Sequence, residues 1–341
     1  MRKRLATTYD EVISVENLLG AWQEFIRGKR SKQDVQFFGL HLMDNILALH
    51  CDLATFRYTH GGYEAFKITD PKPRDIHKAS VRDRLLHHAV YRKLYPFFDK
   101  TFISDSYSCR LRKGTLRAIN QFQSFGRGVS ENNTRTCWVL KCDIRKFFAS
   151  IDHQVLFGIF GKYGQSEKVA WLLERVVSSF SSTSPGVGLP LGNLTSQLLV
   201  NIYMNEFDQF VKHELKVKQY IRYADDFVLF SHDRALLLEQ MHFTGEFLRS
   251  KLKLFLHPKK VSLTALTSGV DFLGWVHFPD HRVLRTTTKK RMLMRLRKNP
   301  SQETVASYRG LLSHGNTQKL RENLLAQNSQ QFIHCPSLSL D

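Results

Sequence analysis

Three aspartates carry the chemistry this sequence could perform. Two are adjacent, Asp225 and Asp226, within Tyr223-Ala224-Asp225-Asp226-Phe227. The third, Asp143, ends the apolar run Cys137-Trp138-Val139-Leu140-Lys141-Cys142. Adjacent carboxylates on a turn repel each other and gain nothing structurally. They become useful when a hard divalent cation neutralises them, because Mg²⁺ prefers carboxylate oxygens and keeps waters that a phosphate can replace. A two-metal phosphoryl-transfer site needs at least one further carboxylate from elsewhere in the chain, and Asp143 is the candidate. The bland alternative for the Asp-Asp pair alone is a solvated turn. It loses ground because the third acid, a glycine-rich loop and a buried helix occur in the order that would assemble a site.

The elements that must hold these acids are legible nearby. Residues 218–222 and 228–231 flank the acidic pair with β-branched and aromatic residues, so a β-hairpin with two carboxylates at its turn is expected. Asp143 would end a strand over 137–142. Between them, the stretch from Gly186 to Gln197 (Gly-Val-Gly-Leu-Pro-Leu-Gly-Asn-Leu-Thr-Ser-Gln) is a loop whose backbone can approach a ligand closely. Thr195 or Ser196 would cap the helix that follows, on which Leu199, Tyr203, Phe207 and Phe210 recur at helical spacing.

Composition narrows the partners. The 341 residues carry 42% hydrophobic and 24% charged residues, as a globular protein of two or three subdomains does. The net charge of +19 implies a polyanionic partner, nucleic acid or an anionic membrane. No apolar run reaches transmembrane length, and Met1-Arg2-Lys3-Arg4 is not followed by an apolar signal segment, so nucleic acid is the better reading and no membrane partner is expected. The five cysteines form no CxxC pair, so they read as reduced thiols of a cytoplasmic protein.

In chain order, residues 9–55 read as helices, interrupted by the basic link at 27–32. Residues 56–68 read as strand, turn and strand. Prolines on either side of Lys72 then hold an extended, basic segment with Arg74, Arg82 and Arg84 close by. In a polymerase such a basic hairpin would cover a triphosphate, for which the planar arginine fork is suited; a plain surface face is the alternative. Helices are expected over 81–98, from 115, over 153–180 and over 234–254, with a loop over 126–136. A strand near 260–263 and a hairpin from 270–276 and 282–285, turning at Pro279-Asp280, complete the apolar part. From Arg282 to Arg321 there are eleven Lys or Arg against one acid, Glu303, which reads as a surface tracking a phosphate backbone.

Strand with Asp143, helices, glycine loop and helix, acidic hairpin, helix, strand and second hairpin form a βαββαβ-like series. That order suits a small antiparallel sheet with helices on one face. The sequence closely resembles reverse transcriptases of the bacterial and phage kind over roughly residues 10 to 320. The resemblance is carried by the segment Asp143 to Phe148, by Gly188 to Gln197, by the YADDF turn and by Phe272-Leu273-Gly274-Trp275. In most of the family a Gln stands where this chain has Leu191, and a Ser-Pro stands at Ser196-Gln197. This departure looks like the reverse transcriptases of diversity-generating retroelements, as do the short length and the lack of room for an endonuclease or an extended maturase region.

The resemblance implies an α+β right-hand polymerase: an N-terminal helical region (1–55), fingers with part of the palm (56–136), a palm with an antiparallel sheet and YxDD hairpin (137–276), a basic helical thumb (277–328) and a disordered tail (329–341). It implies an RNA-directed DNA polymerase with two Mg²⁺ ions, Mn²⁺ being a substitute, held by Asp143, Ile144, Asp225 and Asp226. Lys260 matches the family lysine that protonates pyrophosphate. Arg74 and Arg84 are candidates for the triphosphate. Ile144, Leu191, Gly192, Ser196, Gln197 and Tyr223 would line the nucleotide site. Phe148 matches a sugar gate that excludes a 2′-hydroxyl, whereas Phe147 reads as core. The implied partners are template RNA, a DNA or cDNA primer-template, deoxynucleoside triphosphates and a small basic helical accessory protein. In the retroelement family a template-repeat RNA is copied with errors at template adenines, and Leu191 in place of a polar residue would lower selectivity. A retron, phage-defence or group II intron-like enzyme is the alternative, and a non-catalytic RNA scaffold the alternative of another class.

Overall fold

A computed structural model describes residues 3–69, 73–299 and 301–322. The first four helices, α1 (Tyr9–Ile13), α2 (Val15–Phe25), α3 (Gln33–Leu40) and α4 (Leu42–Ala54), fall where the apolar periodicity places them. Next come β1 (Tyr63–Ile68) and β2 (Arg74–Ala79), an antiparallel pair in the register Tyr63↔Ala79 to Ile68↔Arg74. Then follow α5 (Val81–Phe98), α6 (Thr115–Val129), β3 (Trp138–Asp143), α7 (His153–Gly161), α8 (Glu167–Ser178) and α9 (Leu194–Gln209). The acidic hairpin is β4 (Tyr220–Tyr223) and β5 (Asp226–Ser231), and α10 (Arg234–Leu252) and β6 (Ser262–Ala265) follow it. The chain continues through β7 (Val270–Phe272), β8 (Trp275–His277), β9 (Arg282–Leu284), α11 (Thr286–Lys298) and α12 (Gln302–Leu312). A four-stranded sheet has the order β4-β5-β3-β6, and a three-stranded antiparallel sheet the order β7-β8-β9.

Contacts divide the chain into two compact units. The first comprises Met1–Arg112, Cys142–Phe227 and Glu239–Val261. Its centre is α5, which packs against α2 and α9. Ser80 starts α5 by accepting from the Asp83 N–H, and the Asp83 carboxylate in turn takes the Tyr58 hydroxyl at 2.8 Å and the Gly61 N–H at 3.1 Å. A helix entry is thereby tied to the chain leading into β1.

The second unit comprises Lys113–Lys141, Val228–Leu238 and Ser262–Asp341. Its core gathers Ile119, Trp275, Leu284, Met292, Leu296, Val305 and Leu312. The Phe122 ring stacks on Phe272 at 5.3 Å and meets the Phe230 ring edge-on at 4.8 Å. The basic helices α11 and α12 bury Met292, Leu296, Val305 and Leu312 in this core, with Leu293, Tyr308 and Leu311 packed against it.

Four local expectations need correction. Residues 56–62 form no strand: Phe56 adopts a left-handed φ of 56° and stacks on Tyr9 at 5.5 Å, and Tyr58 is buried on Asp83. The loop expected over 126–136 begins later, because α6 runs to Val129 and buries Gly126 against Leu266. The segment 270–276 is two strands, since Leu273 and Gly274 both take positive φ (49° and 88°) and close a two-residue hairpin turn. The cap of α9 is Asn193, not Thr195 or Ser196, whose side chains are buried. The expected tail over 329–341, Cys335 and Lys72 lie outside the described residues. Among the described residues no helix is long and apolar enough to cross a membrane.

Candidate active site

Strand β3 delivers Asp143 at its end, and the β4–β5 turn delivers Asp225 and Asp226. The turn is tight because Ala224 takes φ 56°, which a residue with a methyl side chain tolerates better than a branched one. The two segments are joined directly: the Ile144 N–H donates to the Asp225 carbonyl oxygen at 3.2 Å. The Ile144 side chain is buried, and its backbone also bridges to Leu256. On the other side of Asp143, the His257 N–H donates to the Asp143 carbonyl oxygen at 2.8 Å. That contact brings in the segment bearing Lys260, whose ammonium donates to Asp143 Oδ1 at 2.9 Å. Asp143, Asp225, Asp226 and Lys260 are therefore one electrostatic cluster. Burial first, then the charges of Asp226 and Asp143, push the Asp225 carboxyl up to about 6, against the pull of a main-chain hydrogen bond and of Lys260.

The donor chemistry of this cluster suits a hard cation: it holds three carboxylates against one partly exposed ammonium, which is bonded to Asp143, and burial, followed by the neighbouring negative charges, raises Asp225. Yet among the described residues no three His, Cys, Asp or Glu side chains are gathered closely enough to form a ready cage for a metal ion.

The glycine loop is fastened beside β2. The His77 N–H donates to the Leu191 carbonyl at 2.9 Å, and Asn193 Nδ2 donates to the His77 carbonyl at 3.0 Å. Gly192, at φ 106°, lies against Ile76 so closely that a Cβ would meet Cγ2 at 2.8 Å. The loop also meets the segment after Asp143, since the Leu189 N–H donates to the Phe148 carbonyl at 2.8 Å. Phe147 is buried as core, while the Phe148 ring is half-buried and packs edge-on against it at 5.6 Å. Leu191 and Gln197 are half-buried, Ser196 is buried in the first turn of α9, and Tyr223 is half-buried at the end of β4.

The two arginine candidates separate. Arg74 starts β2 and is exposed. Arg84 is engaged on α5 by Asp34 at 2.7 Å and lies over the Phe25 ring at 5.0 Å, so its guanidinium ties α3 to α5. Of the two candidates, Arg84 is thus already paired with a carboxylate. Lys78 of β2 shares the same Asp34 at 2.9 Å.

Sequence reasoning missed the groups beneath the turn. Arg222 and Asp208 are both fully buried and form a two-pronged ion pair at 2.8 and 2.7 Å, with the Tyr220 hydroxyl on Asp208 at 2.7 Å. Burial and Asp208 together push the Tyr220 hydroxyl pKa upward. The available signal was a charge in an apolar strand, Tyr220-Ile221-Arg222-Tyr223, and another on an apolar helix, beside Phe207. His87 on α5 is also buried; its pKa is lowered to about 3 by burial and then by His60, and it bonds both Thr195 and His60.

The family model for reverse transcriptase (RNA-dependent DNA polymerase) matches residues 68–277, more than half of the chain and all four residues of the charged cluster. The chain belongs to the reverse transcriptase family. It has that family's α+β, right-hand polymerase fold. Among its relatives, Protein YkfC of Escherichia coli (strain K12) is 25% identical over 258 residues, which cover 64% of this chain and 65% of that one. The group II intron-encoded protein LtrA of Lactococcus lactis subsp. cremoris is 23% identical over 295 residues, 66% of this chain and 47% of that one. The chain thus spans less than two thirds of the length of either relative. A solved telomerase from Candida albicans, in complex with a TWJ fragment of telomeric RNA, aligns with TM-score 0.49 and 11% identity over 72% of this chain and 51% of that one.

Proposed function

We propose that this chain is an RNA-directed DNA polymerase that copies template RNA into cDNA from deoxynucleoside triphosphates. The observation that carries the reading is the charged cluster: Asp143 at a strand end, Asp225 and Asp226 on a turn hydrogen-bonded to the residue after it, and Lys260 on Asp143. Asp143, Asp225 and Asp226, with Ile144 beside them, would hold two Mg²⁺ ions or Mn²⁺ in their place. Such ions supply charge neutralisation at the triphosphate and activation of the primer hydroxyl. Lys260, whose ammonium donates to Asp143, would give a proton to departing pyrophosphate. Arg74, exposed at the start of β2, would grip the triphosphate. Leu191, Gly192, Ser196, Gln197 and Tyr223 would line the nucleotide, and Phe148 would crowd a 2′-hydroxyl.

The basic helices α11 and α12 would follow the phosphate backbone of the primer-template as a thumb over 277–328, beyond fingers over 56–136 and a palm over 137–276. The site of action would be the cytoplasm of a bacterial or phage-infected cell. Leu191 and the Ser196-Gln197 ending favour an error-prone enzyme of a diversity-generating retroelement, working with a small basic helical protein. The likeness to an intron-encoded protein favours a group II intron-like enzyme as the second reading.

Primer extension on an adenine-containing RNA template, with Mg²⁺ and four deoxynucleotides, tests both levels. Extension that Asp225→Asn abolishes supports the polymerase, and wild-type activity in that variant would sink the metal assignment. Errors clustered opposite adenine support the retroelement enzyme, whereas accurate copying moves the assignment to the intron-like one.

A further inference from the structure

Arg222 lies three residues before Asp225, and its side chain has no exposed surface. Its guanidinium makes five hydrogen bonds. Nε and Nη2 donate to the two oxygens of Asp208, and Nη2 also donates to Ser106 Oγ at 3.0 Å. Nη1 donates to Asn201 Oδ1 at 3.3 Å and to the Ala224 carbonyl oxygen at 3.2 Å. The first four anchor the arginine. The fifth reaches into the turn itself, where the Ala224 carbonyl belongs to the peptide that enters Asp225. The peptide that leaves Asp225 is held by the Ile144 N–H, from the residue next to Asp143. Both peptides around the Asp225 α-carbon are therefore pinned, one by a buried arginine and the other by the strand that ends in Asp143.

We propose that Arg222 is a positioning residue that fixes Asp225 against Asp143 for cation binding, an inference that rests on reading this cluster as the polymerase metal site. Stability alone does not account for the arrangement. A buried ion pair roughly breaks even against a well-packed apolar pair of the same volume, so the fold could dispense with it. A rigid fork with several fixed donors instead suits holding a carbonyl in one place. Partners behind a metal-binding residue typically change metal affinity by ten- to a hundredfold when altered.

The test is Mn²⁺ binding to the purified full chain, followed by electron paramagnetic resonance, with Asp225→Asn marking the site. Arg222→Lys keeps the charge and loses the fork. It should weaken Mn²⁺ binding about tenfold or more, while primer-template affinity stays within about twofold. Ser106→Ala removes another bond of the same guanidinium and leaves the turn bond in place, so Mn²⁺ binding should stay at the wild-type level. Should Arg222→Lys fail to fold, Asn201→Asp offers Nη1 a charged competitor to the Ala224 carbonyl and should weaken Mn²⁺ in the same direction. Unchanged Mn²⁺ affinity in the variant that folds would overturn the proposal. So would an equal loss in Ser106→Ala, or a wild-type chain with no site sensitive to Asp225→Asn. A wild-type chain that binds Mn²⁺ in an Arg222-dependent way yet extends no primer would sustain this inference and remove the polymerase reading.

Discussion

Replacing Asp225 by Asn should stabilise the metal-free protein while destroying its catalysis. The Asp225 carboxyl is pushed up from 3.8 to about 6, by burial first and by Asp226 and Asp143 after it. The folded state therefore holds this proton more tightly than the unfolded chain does. Its favourable contribution is fully present below the unfolded value and is lost as pH rises through the folded one. Above about pH 6 the ionised carboxylate carries the whole penalty. That displacement corresponds to roughly 3 kcal/mol. Asn keeps the shape and removes the charge, so most of that penalty should disappear. With an unfolding entropy of about 2 cal/mol/K per residue, the gain is ~4 °C in Tm for a chain of this size. The assay is thermal unfolding in EDTA at several pH values. The variant should match the wild type near pH 4, gain between pH 4 and 6, and hold a constant advantage above that. An Asp225→Asn protein no more stable than wild type at pH 8, or equally stabilised at pH 4 and 8, would refute the electrostatic account of the turn.

Three further outcomes follow from the same geometry. Phe148→Ala should admit ribonucleotides, measured as the ratio of ribo- to deoxynucleotide incorporation, and an unchanged ratio would remove the sugar-gate role. Gly192→Ala combines a φ of 106° with a Cβ at 2.8 Å from Ile76 Cγ2. It should cost about 1–3 kcal/mol in urea unfolding and raise the nucleotide KM by displacing β2 and Arg74; an unaffected KM would separate the hairpin from nucleotide binding. Asp208→Asn leaves the Arg222 charge buried without its carboxylate, so a loss of about 3–5 kcal/mol is expected, and a loss under 1 kcal/mol would contradict the ion pair's burial.

Much of the fold was legible because its signals are local. Apolar residues at helical spacing place α5, α7 and α9, and the β-branched and aromatic residues flanking Asp225-Asp226 place β4 and β5. Errors arose where the local signal was shared between two outcomes. The run 270–276 reads as one apolar strand, but its centre turns because Leu273 adopts a left-handed conformation before Gly274. Residues 56–58 read as a strand, yet their rings are spent on packing against Tyr9 and Asp83.

The sequence by itself determined the order of the elements, the three aspartates and the glycine loop, since periodicity, turn residues and charge depend only on near neighbours. Only the tertiary structure decided which charges are spent and which remain available. Arg74 and Arg84 look equivalent along the chain, but Asp34, fifty residues before Arg84, claims one of them. Lys260 reaches Asp143 across 117 residues, and Arg222, which reaches the Ala224 carbonyl, is held by Asp208 and Asn201 from α9 and by Ser106 from a second segment. Pairing a buried charge depends on which segments the fold brings together, and sequence spacing does not encode that.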